Sequence, residues 1–253
     1  MSLPLTADVD KLVLALTNQF VPRGLFQQIA VVYAVLGRVS SHVHVPATPN
    51  DTEKYNREFV GLQCLVEYIR CHLPLGAGTN IQSPDERFQS SWLQIVLHAA
   101  SMLLNGPHVQ SPPIMHPSVV TRTAEEAGAE SMRRSRCQLA TASIIGFLRK
   151  EISSMPERES LANPHLATGI SLCAYLLLVD WLETEDLTTR SDIDVALAAF
   201  EFLRQRFPIL AQKFISGIQF GLTYFKQAGL KPPGLRGMLA FCSLDSKTAL
   251  VQA

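Results

Sequence analysis

Apolar residues recur at steps of three and four along almost the whole chain, and no stretch alternates polar and apolar positions over a useful length. This pattern predicts an all-α protein, an irregular multi-helix bundle of about eight helices. A first short helix is expected over Asp8–Phe20. A second follows Pro22, with Phe26, Ile29, Val32, Tyr33, Leu36 and Val39 on its apolar face. Asp51 is expected to cap a third, on which Tyr55, Phe59, Leu62, Val66, Ile69 and Leu73 form a stripe, ended by Pro74 and Gly76-Ala77-Gly78.

The central segment, Arg87 to Pro107, is apolar nearly all round. Ser83-Pro84-Asp85-Glu86 opens it with a cap, a first-turn proline and a capping-box acid. Gln94, His98, Ser101 and Asn105 fall on one narrow polar stripe of this helix. A helix with so little polar perimeter must be wrapped by others. Beyond the Pro-rich loop His108–Pro117, a helical pattern runs from about Ser118 to Ser153, with a charged first half and an apolar second half. Asn163-Pro164 starts another buried helix. Ser191 is expected to cap the next, with Ile193, Leu197, Phe200, Leu203 and Phe207 on one face. Pro208 opens the last, through Phe225 to Gly229. One helical domain over residues 1–230 and a weakly ordered tail over 231–253 are therefore expected.

Composition narrows the function. Lys+Arg and Asp+Glu both total 22 among 253 residues, whereas a surface that neutralises several phosphates carries a basic excess. Direct contact with DNA or RNA is not expected. Cys64, Cys71, Cys137, Cys173 and Cys242 are odd in number and contain no CxxC, so reduced, buried thiols are expected rather than disulfides or a zinc site. The most apolar run, Ile170 to Val179, meets Asp180 after ten residues. A membrane span needs about 20, so no membrane partner is expected. Met1-Ser2-Leu3-Pro4 lacks the positive start of a secretory signal.

Candidate chemistry is sparse. His42 and His44 flank a helix end without a neighbouring Cys, Asp or Glu to complete a metal site. Asp180, Glu183, Glu185 and Asp186 cluster at a helix exit. A cation-diphosphate site would need a partner motif, and none is visible, so a solvated connector is the simpler reading. Arg133-Arg134-Ser135-Arg136 fits an import patch or phosphosite, or a solvated face paired with Glu126 and Glu130. No phosphate loop, GxSxG elbow or HExxH occurs. No catalytic residue, metal ligand or cofactor is expected. A ligand pocket, if there is one, is placed at Gln94, His98 and Ser101.

Four segments carry a resemblance. They are FVGLQCLVEYIRCHLP (Phe59 to Pro74), WLQIVLHAASMLLNGP (Trp92 to Pro107), RCQLATASIIGFLR (Arg136 to Arg149) and NPHLATGISLCAYLLL (Asn163 to Leu178). Together, in this order, they resemble the regulatory, or middle homology, domain of fungal zinc-cluster transcription factors, over about Leu25 to Phe225. The resemblance implies an all-α module, a nuclear location and control of RNA polymerase II transcription without catalysis. It implies as partners other transcription-regulatory proteins or the remainder of a longer factor, with a small metabolite as a further candidate. The six-cysteine cluster, basic linker and coiled coil of such factors are missing, so no DNA-binding residue carries over. The chain is expected to be the C-terminal part of that regulatory domain. The rival readings are a helical enzyme of terpene-synthase-like type and a generic helical interaction scaffold.

Overall fold

The computed structural model describes residues 25–44, 52–72, 84–106, 124–153, 161 and 163–225. Among them it is all-helical, with seven α-helices and no strand. The helices are α1 (Leu25–His44), α2 (Thr52–His72), α3 (Pro84–Asn105), α4 (Ala124–Ser153), α5 (Leu166–Thr184), α6 (Leu187–Arg204) and α7 (Pro208–Phe220). A π-helical turn, Gly221–Phe225, extends α7. The helix expected over Asp8–Phe20, the caps Asp51 and Ser83, Pro74 and the 231–253 tail lie outside the described residues.

The chain divides into two compact units, residues 1–104 and 105–253. In the first, α1 packs on α2. The buried row of α1 is Val32, Val35, Val39 and His42, at steps of three, four and three. The expected face is thus rotated: Tyr33 and Leu36 sit at its half-buried edge, and Val35 is at its centre. On α2, Phe59, Leu62, Leu65, Val66 and Ile69 are buried, as the periodicity predicts. From Leu93 to Asn105 every residue of α3 is buried except Gln94 and His98. Trp92 of α3 tilts its ring against Tyr33 of α1, centroids 5.8 Å apart, a geometry aromatic pairs favour.

In the second unit α5 touches α4, α6, α7 and the π turn. Its apolarity explains this: Leu166, Ile170, Leu172, Cys173, Ala174, Tyr175, Leu177, Leu178 and Trp181 are all buried, which leaves little of the helix for water. By length and composition alone α5 could cross a membrane, yet most of it is buried against its neighbours. On α6 the buried row is Ile193, Ala196, Ala199, Phe200 and Leu203. Leu197 is only half-buried, and Phe207 lies beyond the helix, 37% exposed, at the N-cap of α7. The alanines let α6 lie close to α5, and Phe200 stacks on Phe214 of α7 at 5.3 Å.

The start of α6 also differs from the expectation. Asp186, not Ser191, is the N-cap, and its carboxylate accepts from the Thr189 backbone N–H at 2.8 Å. The turn is made by Glu185 in the left-handed region (φ 52°), whose N–H donates to the Trp181 carbonyl at 2.7 Å. That is a left-handed helix ending without the usual glycine. Ser191 therefore sits in the second turn of a helix already formed.

At Gly221 the π turn comes so close to α5 that a Cβ would land on the Leu178 methyl Cδ2. Leu178 is fully buried and has little room to yield. Gly221→Ala is expected to cost about 1–3 kcal/mol, the usual penalty of overpacking. Chemical denaturation of wild type and variant measures it.

Candidate functional site

The residues placed at a ligand site from the sequence do share one row of α3, about 10 Å long at 1.5 Å rise per residue. Their surroundings differ along it. Gln94 is exposed, His98 is half-buried, and Ser101 and Asn105 are buried. The row thus runs from solvent into the interior and does not open as one polar surface. His98 faces α2, where Glu67 and Arg70 form a pair with Nη2 to Oε2 at 2.6 Å. Burial pushes the His98 imidazole down to about 4, Arg70 reinforces this, and Glu67 opposes it. His98 is therefore neutral near pH 7, so it acts there as hydrogen-bonding imidazole and not as a cation.

A second polar cluster, at the end of α1, was not predicted. The His42 side chain is 1% exposed and stacks on Tyr55 of α2 with ring centroids 4.0 Å apart. Nδ1 lies 3.4 Å from Glu58 Oε2, and Phe59 closes one side at 6.5 Å between centroids. Nε2 is buried without a hydrogen-bond partner among the described residues. Burial lowers the His42 proton affinity more than Glu58 raises it. The signal was present in the sequence: His42 continues the steps of Val32, Val35 and Val39, so it belongs to the buried row. His44, by contrast, is exposed, with Nδ1 2.6 Å from the Ser40 carbonyl of its own helix. The two histidines do not form a pair.

The acidic connector is occupied by structure. Arg134 of α4 reaches Glu183 at 2.7 Å and Asp180 at 3.7 Å, Glu185 makes the turn, and Asp186 caps α6. Glu183, Glu185 and Asp186 are exposed and Asp180 half-buried, so these acids do not ring an interior cavity. Arg134, offered from the sequence as part of a basic patch, is thereby tied to α5. Among the described residues no three His, Cys, Asp or Glu side chains are grouped to hold a metal ion.

The cysteines divide two and two. Cys137 and Cys173 are buried, as expected. Burial raises the Cys137 thiol to about 12 and the Cys173 thiol further still, so both stay protonated and unreactive. Cys64 and Cys71 are exposed instead, because they fall on the face of α2 opposite its buried row. Cys242 lies outside the described residues.

No known family, curated protein or solved structure matches the chain.

The histidines make the first unit sensitive to acid. A base whose proton affinity is depressed on folding takes up its proton more readily unfolded, so stability is full above the unfolded value of 6.5 and falls as pH drops toward about 4. For His98 the loss over that window is at most about 3 kcal/mol. Denaturation at pH 7 and pH 5 is expected to show a smaller difference for His98→Gln than for wild type. The His98 ring signal in NMR is expected to titrate near pH 4; a midpoint near 6.5 would contradict this placement.

Proposed function

We propose that the chain is a regulatory module of a fungal transcription factor that controls RNA polymerase II transcription in the nucleus by contact and not by catalysis. The observation that carries this reading is the placement of the four family-like segments. Among the described residues, each lies mostly on a helix, over the buried rows of α2, α3, α4 and α5. The positions that carry the resemblance are therefore packing positions, as expected when the likeness reflects a shared helical core. The balance of 22 basic and 22 acidic residues agrees with a module that leaves DNA contact to another part of a factor or to a partner. Its partners on this reading are other transcription-regulatory proteins, or the remainder of a longer factor. A small metabolite would act at the row Gln94, His98 and Ser101 by favouring one packing of α3 over another.

The terpene-synthase-like alternative draws no support from the Asp180 to Asp186 acids, which are engaged by Arg134 and by the α6 cap. A generic scaffold remains the competing reading, and cell biology separates the two. A fluorescently tagged full chain is expected in the nucleus, and removal of its gene is expected to change a defined set of transcripts. Exclusion from the nucleus with an unaltered transcript profile would reject the regulatory reading in favour of the scaffold. A metabolite that acts as proposed raises the melting temperature in proportion to its saturation, and His98→Gln weakens that shift.

A further inference from the structure

The buried row of α1 ends on a titratable residue. Val32, Val35 and Val39 are fully buried, and the next member of the row is His42. Opposite it stand the first turns of α2, where Glu53, Lys54, Asn56 and Arg57 are exposed, Tyr55 and Glu58 half-buried, and Phe59 buried. These turns close on the His42 ring. Tyr55 stacks on it at 4.0 Å, Phe59 lies at 6.5 Å, and Glu58 Oε2 is 3.4 Å from Nδ1. Among the described residues, this end of the α1–α2 pair is held together around one imidazole.

That imidazole fits its surroundings only while it is neutral. With its proton on Nδ1, toward Glu58, it leaves Nε2 a bare acceptor. A second proton would put an N–H on Nε2, which is buried and has no hydrogen-bond partner among the described residues. Glu58 is the charge that acts on the ring, and burial outweighs it. The other charged groups at this end are engaged or exposed. Glu53 and Arg57 pair with each other at 2.8 Å, and Lys54 is exposed. On α1, Arg38 precedes His42 by one turn, and exposed His44 has its Nδ1 on the Ser40 carbonyl.

We propose that protonation of His42 opens this end of the α1–α2 pair: the ring leaves Tyr55 and Phe59 for water while the rest of the two helices stays packed. His42 is the last member of its row and lies in the final turn of α1, where local opening costs least. The valines deeper in the row carry no charge and keep their contacts. A histidine in water takes up its proton at about 6.5, and the closed form binds it less readily. The closed form is therefore fully favoured above that value and loses ground as pH falls below it. Opening bares Tyr55 and Phe59, an aromatic surface that neutral conditions cover. The device is local, unlike the general loss of stability expected from His98, whose ring faces Glu67 and Arg70 further along α2. It stands apart from the transcriptional reading and does not depend on it.

NMR of the full chain with labelled histidine and aromatic side chains, titrated from pH 7 to pH 5, tests it. The ring contacts of His42 with Tyr55 and Phe59 are expected to fade over that range. The Tyr33–Trp92 contact, nearer the start of α1, is expected to persist. The ratio of open to closed form should rise severalfold, below the ceiling of about 25-fold that one group of ordinary value 6.5 can supply over this interval. His42→Phe keeps an apolar ring in the row without a titratable one, and is expected to hold the contact equally at pH 7 and pH 5. Glu58→Gln removes the balancing carboxylate, so its open-to-closed ratio is expected to rise more steeply with acid than that of the wild type. A merely structural Glu58 would shift the ratio alike at both pH values, and that result overturns the proposal. So do wild-type ring contacts intact at pH 5, loss of the Tyr33–Trp92 contact in step with them, or acid opening that persists in His42→Phe.

Discussion

Unit two is organised by the need to keep α5 out of water. Twelve of its residues, from Leu166 to Trp181, are buried, among them Tyr175 and Leu178. At roughly 25 cal/mol per Å² of apolar surface, exposing such a helix would be prohibitive for a domain of ordinary stability. Each neighbour therefore answers to it. α4 turns its Ile144 and Leu148 row inward, and α6 carries Ala196 and Ala199 where larger side chains would hold it off. The π turn brings Gly221 against Leu178. The Leu161 side chain, just ahead of α5, is also fully buried.

Charge serves this packing without competing with it. Arg57 with Glu53, Arg70 with Glu67, Arg190 with Asp194, and Arg204 with Glu201 are pairs within single helices, and such exposed pairs each add little stability. Two arginines of α4 do something different. Arg134 reaches Glu183 and Asp180 of α5, and Arg149 reaches Asp192 of α6. They fix where α4 lies along its neighbours, a matter on which a smooth apolar surface is indifferent.

Much of this was legible in the sequence because burial and periodicity are the same fact seen twice. Phe59, Leu62, Val66 and Ile69 were placed correctly by spacing alone. Where the structure differs, the residues concerned take their role from neighbouring elements and not from their own type. Asp186 was read as part of a solvated connector at the exit of α5, but it caps α6, and the left-handed turn at Glu185 that separates the helices has no glycine to announce it. His42 was weighed only as half of a metal pair with His44, although its position continues the buried row of Val32, Val35 and Val39. The row Gln94, His98, Ser101 was correctly seen as one stripe. Its passage from solvent into the interior depends on tertiary packing, which no single helix pattern contains.

The reactive residues share one electrostatic condition. Burial raises Cys137, Cys173, Tyr33 and Tyr175 and lowers His42 and His98, so in every case the shift favours the uncharged form. Among the described residues, Asp186 is shifted toward its charged form instead, and its partner is the backbone and hydroxyl of Thr189 at the start of a helix. Neutral interior groups pack among apolar side chains without the large cost of burying a charge.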